Sequence, residues 1–313
     1  MKKISYSAPG KVILSGEHAV VYGKPAVVCA IDKRLTLTIT QINKTVYADP
    51  IMPILEMTVK DFLKQKNEKI IEAGYSYEVS STIPIGRGLG SSAAYSAVIA
   101  AGLLELFTGK QWAVTDINMC AYKIEKYFHK NSSGVDTSTS VMGGLIYYRK
   151  EFEFLKTISS LSIKIPKHIT DTLILIDTGK PTETTGEMVQ NVGSLFNNNP
   201  GKIEKYLNEI EKITKRLVVS LMKEDISLFK ESIINNELFL EKINVVSKTT
   251  KNLIRKLKTF GVGKITGGGG FKTASGYVLF TTERKNELTN TLTDENISYM
   301  DFTPSYIGLK KEL

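Results

Sequence analysis

The chain has 313 residues, 42% hydrophobic and 23% charged, with a formal net charge of +9. That length and composition allow a sizeable core in one or two domains, and the two cysteines, Cys29 and Cys120, have neither metal-ligand spacing nor the density of a disulfide scaffold. The positive charge is spread in lysines along the whole chain, with no nucleic-acid motif and no basic stripe interleaved with aromatics, so a solvated basic surface is expected rather than a nucleic-acid partner.

The first ten residues carry two lysines, but Pro9 and Gly10 arrive before any apolar run forms, so no signal peptide is expected. Residues 1–85 read as β-rich, with strands over 4–8, 34–42 and 75–81, the second alternating at period two. A helix is predicted from Ser91 or Ser92 to a stop at Gly109. Its apolar stretch over 95–107 is too short to cross a bilayer and contains Glu105, so no membrane and a cytoplasmic setting are expected. A second helix opens at Thr115 and Asp116, with Ile117, Ala121, Ile124 and Phe128 on one face. A turn-rich stretch over 131–136 leads to Gly143 and Gly144 and a strand over 145–148. The character changes near residue 165. A strand over 173–176 precedes helices over 203–221, 228–240 and 249–260, the last closed by Gly261 as C-cap. Strands over 263–266 and 277–281 flank the tract 267–270. This order predicts an α+β chain of two units, 1–165 and 166–313.

Three segments carry chemistry. In the first, Gly86, Gly88 and Gly90 alternate with Arg87 and Leu89, and Ser91, Ser92 and Ala93 then open a helix. Alternate glycines let backbone N–H groups converge on an anion, and the helix start adds free N–H groups and its positive dipole end. Other phosphate loops are excluded: no G-x-x-x-x-G-K-[ST] occurs, and G-x-G-x-x-G would need glycine where Leu89 or Ser91 stands. In the second segment, Lys11, Glu17 and His18 sit among apolar residues and glycines; each alone also reads as a surface charge, an ion-pair partner or a satisfied turn residue. The third runs from Lys264 through Thr266 to Gly270 between two strands, where a floppy linker would be odd. Asp136, in the turn-rich stretch, and Glu125, late in the second helix, complete the set; Glu125 alone would read as a solvated helix residue.

Together these segments resemble the GHMP kinases, with three motifs in the family's order from residue 8 to about residue 280. The first motif, from Pro9 to Gly23, is similar to the mevalonate kinase branch. Galactokinase-like members carry arginine in place of Lys11, and phosphomevalonate kinases carry tyrosine in place of His18. The resemblance implies a two-domain GHMP fold, with an N-terminal ribosomal S5 domain 2-like unit and a C-terminal ferredoxin-like unit. It implies transfer of the ATP γ-phosphate to the 5-hydroxyl of mevalonate, a step of isoprenoid precursor biosynthesis, with a homodimer possible. By position, Asp136 matches the base and Lys11 its partner on the γ-phosphate, while Glu17, His18 and Thr184 match the acceptor pocket. Gly86, Gly88, Leu89, Gly90, Ser91, Ser92 and Ala93 match the ATP loop, and Ser92 with Glu125 the Mg²⁺ site. Such chemistry needs positioning and charge neutralisation more than covalent help, and one serine with one glutamate suits Mg²⁺. The alternatives are another GHMP kinase, acting on phosphomevalonate or a sugar, and a binding protein that has lost catalysis. The presence of Lys11, Ser91, Ser92, Glu125 and Asp136 argues against the last. The chain departs from the family at Lys130 to Ser133, where glycine and proline are lost, and at Phe271 and Lys272, which replace the last glycines of the third motif. Lys272 is expected to contact phosphate or substrate.

Overall fold

The computed structural model describes residues 2–129, 132–152 and 155–312; Lys130 and Asn131, which open the stretch running to Asp136, lie outside the described residues, as do both chain ends. The elements in chain order are β1 (Lys3–Ser15), β2 (Ala26–Ile42), α1 (Met52–Gln65), β3 (Gly74–Ser81), α2 (Ser91–Thr108), α3 (Val114–Phe128), α4 (Val135–Met142), β4 (Leu145–Lys150), β5 (Lys156–Leu161) and α5 (Lys167–Thr170). They continue as β6 (Leu173–Asp177), α6 (Thr185–Asn198), α7 (Pro200–Met222), α8 (Ile226–Lys242), α9 (Lys248–Lys256), β7 (Gly261–Thr266), β8 (Tyr277–Thr282), α10 (Lys285–Asp294), β9 (Tyr299–Asp301) and β10 (Lys310–Lys311).

Two antiparallel sheets organise the chain. The first runs β10-β1-β2-β4-β5, with β3 also paired to β2; the second runs β7-β8-β6-β9. The mixture meets the α+β expectation. In β2 the period-two half buries Leu35, Leu37 and Ile39, while Ala26 to Ile31 is buried without alternation, as in a strand covered on both faces; β2 packs against α2, α4 and α7. The final strand, β10, returns to pair with β1, and Lys311 on it reaches Glu105 in α2, whose other oxygen accepts from the Tyr6 hydroxyl at 2.7 Å.

Helix α2 is the central rod. By length and composition it could cross a membrane, yet 78% of it is buried inside the fold, against β1, β2, α3 and α4. It spans the expected range, fed directly by the glycine loop and ended by Gly109 with a left-handed C-cap. The two sheets meet beside its N-terminus. The Thr266 hydroxyl, at the end of β7, accepts from the Ile13 N–H of β1 at 2.8 Å.

Four expectations need correction. Residues 52–65 form a helix inside the segment read as β-rich, burying Met52, Leu55, Val59, Phe62 and Leu63 on one stripe. The turn-rich stretch before Gly143 contains α4, which Gly134 caps at φ 93°. Helix α3 begins after Ala113, not at a Thr115–Asp116 cap; Asp116 lies in its first turn and pairs with Lys66 at 2.7 Å. Gly261 caps no helix but starts β7, where a side chain is excluded because a Cβ would lie 2.1 Å from the Thr281 carbonyl of the neighbouring strand.

Candidate active site

The site is built at the start of α2. Gly90 caps the helix in a left-handed conformation, φ 79°, and offers no side chain to the helix N–H groups. The first intrahelical bond closes from Ala94 N–H to Gly90 O at 3.0 Å, which leaves the Ser91, Ser92 and Ala93 N–H groups without intrahelical acceptors. Glycine is required at 90 for a second reason: a Cβ there would lie 2.7 Å from Lys11 Cγ. The side chains of Leu89 and Ala93 are buried in the core, so these two residues offer the site only backbone. The Leu89 carbonyl accepts from Lys11 N–H at 2.9 Å, which pins the loop to β1.

Lys11 runs along the face of Gly90, only 2% exposed, and its Nζ lies 3.2 Å from Asp136 Oδ1. That contact is poorly aligned for a hydrogen bond, and Asp136 Oδ1 is buried with no hydrogen-bond donor. Asp136 sits in the first turn of α4, at the helix's positive end, with its side chain 34% exposed towards the cavity.

Glu125, on α3, is buried. Its Oε1 accepts from the Ser92 hydroxyl and its Oε2 from the Ser96 hydroxyl, each at 2.9 Å. Burial pushes its carboxyl up to about 7, with Asp136 adding to the rise and the two serines and Lys11 opposing it. His129, one turn on, places Nε2 3.3 Å from Ser92 Oγ and 3.6 Å from Glu125 Oε1; burial is the main influence, lowering its basicity. A buried carboxylate and a serine hydroxyl beside free helix N–H groups suit a Mg²⁺ ion whose remaining ligands are phosphates and waters.

His18 lines the same cavity, of about 400 Å³. Its backbone is left-handed, φ 59°, and its ring Nε2 meets the Gly268 carbonyl at 3.0 Å, so Nε2 carries the proton. Burial lowers its pKa to about 4, leaving a neutral ring whose buried Nδ1 is an unpartnered acceptor. Ile13, Val20, Val135 and Val189 add an apolar flank.

Two expected residues lie outside the cavity of Lys11 and Asp136, Glu17 behind its wall and Thr184 on the adjoining one. Glu17 is sealed behind the cavity wall, where its carboxylate pairs with the equally buried Lys264 and accepts from Asn236 at 3.1 Å. Lys264 also donates to the Ile13 carbonyl at 3.2 Å, so this pair clamps the second sheet to β1 and the His18 turn. Thr184 caps α6: its hydroxyl accepts from Glu187 N–H and donates to Glu187 Oε2, while its neighbour Thr185 lines the cavity. Phe271 is half-buried against the second core, and Lys272 is exposed with Nζ 5.8 Å from the Phe271 ring. Sequence reasoning missed Lys264, Thr185 and His129. Two of them left a usable signal: Lys264 opens the third glycine segment, and His129 lies one helical turn from Glu125.

Residues 54–144 match the family described as GHMP kinases N terminal domain, a span that holds the glycine loop, Glu125 and Asp136. The mevalonate kinase of Pyrococcus abyssi is 30% identical over 299 residues, covering 84% of this chain and 85% of that protein. The mevalonate kinase of Methanothermobacter thermautotrophicus is 28% identical over 277 residues, covering 86% and 88%. The crystal structure of the Methanococcus jannaschii mevalonate kinase shares the fold, with a TM-score of 0.77 at 23% identity and coverage of 97% and 98%.

The buried charges behind the wall have measurable consequences. Lys264→Met strands the Glu17 carboxylate and is expected to destabilise the fold by about 3–5 kcal/mol in urea denaturation, an unchanged midpoint being the contrary result. Glu237, buried on α8, accepts from Ile265 N–H through Oε2 while its Oε1 has no partner, and burial raises it from 4.5 to about 7. The folded state therefore holds this proton more tightly than the unfolded chain, so its contribution is fully present below pH 4.5 and is lost as pH rises through about 7. Glu237→Gln keeps the acceptor and should flatten the fall in stability over that window, relative to the unaltered chain. An identical pH profile would contradict this.

Proposed function

This chain belongs to the mevalonate kinase family of the GHMP kinases, and on that premise we propose that it transfers the γ-phosphate of ATP to the 5-hydroxyl of mevalonate, in isoprenoid precursor biosynthesis. The observation that carries this reading is the buried Lys11 beside Asp136, at the open first turn of α2. Gly86, Gly88 and Gly90 with the Ser91, Ser92 and Ala93 N–H groups cradle the triphosphate. Lys11 neutralises charge that grows on the transferring phosphoryl group. Asp136, whose Oδ1 is buried against Lys11 while its side chain is 34% exposed towards the cavity, accepts the hydrogen bond of the acceptor hydroxyl on that open side and lines its oxygen up with phosphorus. As the new O–P bond forms, the bond to the ADP oxygen breaks and the hydroxyl proton passes to Asp136. Ser92 and Glu125 would hold Mg²⁺, which would supply neutralisation of phosphate charge when bound.

His18 and the apolar flank suit an acceptor with a hydrocarbon body and polar ends. In this reading Thr185 takes the place first given to Thr184, and Glu17 acts through Lys264 by holding the His18 turn. The same proposal includes two units over 1–165 and 166–313, the last strand returning to the first, together with a homodimer. The free, buried Cys29 and Cys120 agree with the reducing cytoplasm that it also includes.

A coupled ADP-release assay with mevalonate, phosphomevalonate, galactose and homoserine tests the substrate. Mevalonate alone should turn over, and its failure to do so would overturn the proposal. In the same assay Asp136→Asn should lose roughly 100-fold or more in kcat while still binding ATP and mevalonate.

A further inference from the structure

We propose that Lys180 is a triphosphate-binding residue that closes the outer side of the glycine loop; this rests on the kinase reading and adds a contact to it. Lys180 lies on the segment between β6 and α6, exposed, with its side chain laid across Gly86. A Cβ at Gly86 would lie 2.9 Å from Lys180 Cε and 3.5 Å from its Nζ, so the end of the lysine rests against the first glycine of the loop. Lys180 lines a second cavity, of about 360 Å³, with Gly269 and Ser275. This cavity shares Gly86, Gly88, His129, Thr185 and Gly268 with the one that contains Lys11 and Asp136, so the ammonium borders the same anion cradle from the opposite side.

The surrounding charges leave Lys180 free for a ligand. Arg87, the other cation of the loop, is paired with Asp177. Glu183 is the carboxylate lining this cavity; its Oε1 accepts from Lys272 N–H and its Oε2 from the Thr182 hydroxyl. Glu187 is taken up by the Thr184 cap. Among the described residues Lys180 makes no ion pair. Lys272, the cation that the altered glycine tract suggested, lines neither cavity. Lys11 serves the inner face of the cradle, and an ammonium is a compact point charge suited to phosphate oxygens, so Lys180 is placed to neutralise the outer face.

Titration calorimetry in the presence of Mg²⁺ and without acceptor tests this, with ATP, ADP and AMP as probes on the full chain. Lys180→Ala should weaken ATP and ADP roughly 10-fold with little effect on AMP, Lys180→Arg should recover most of the loss, and Lys272→Ala should match the unaltered chain. Unchanged ATP affinity in Lys180→Ala, or an equal loss for AMP, would overturn the proposal. An unaltered chain that bound none of the three nucleotides would instead overturn the kinase reading. Failure of mevalonate turnover with normal ATP binding would overturn only the acceptor assignment.

Discussion

A lysine buried to 2% exposure has to be answered by a carboxylate, and the placing of Lys11 against Asp136 orders everything around it. Lys11 enters on β1, Asp136 on the first turn of α4, and the glycine loop folds between them with no side chain at 90. The same lysine's backbone N–H holds the Leu89 carbonyl, so the helix start that follows is fixed relative to the ion pair. A phosphate cradle and a hydroxyl acceptor thereby face one cavity from two directions.

The chain repeats the device and uses it differently. Lys264 and Glu17 have side chains with no exposure, and their pair closes the joint between the second sheet and β1. The Lys11–Asp136 pair is open on one side: Asp136 Oδ1 is buried against Lys11, while the side chain as a whole is 34% exposed. A sealed pair is a clamp, because no ligand can exchange with either member. An open pair whose carboxylate faces the cavity can receive a hydroxyl. That difference in burial separates the structural lysine from the chemical one, and both lie in segments that the glycine motifs mark.

Much of this was legible from residue types and spacing. Alternate glycines followed by two serines announce a phosphate-binding helix start, and Gly109 announces its end, because both signals are local backbone chemistry. Helix α1 was hidden by its β-rich surroundings although its apolar stripe is present, and α4 by serines and threonines that also favour turns. The pairing of Glu17 with Lys264 joins residues 247 apart in the chain, and no local rule exposes such a contact. The proposed exchange of Thr184 for Thr185 rests on the helix cap, which takes up the Thr184 hydroxyl through Glu187. Lys180 carries no motif at all; only the packing of its stem on Gly86 identifies it.

The geometry at Asp136 is tested most directly by a crystal structure of the chain with mevalonate and a non-hydrolysable ATP analogue. The expected result is a mevalonate 5-hydroxyl hydrogen-bonded to Asp136, with the γ-phosphate between Lys11 and the first turn of α2. Mevalonate seated outside this cavity, or with its 5-hydroxyl turned from Asp136 towards solvent, would contradict it.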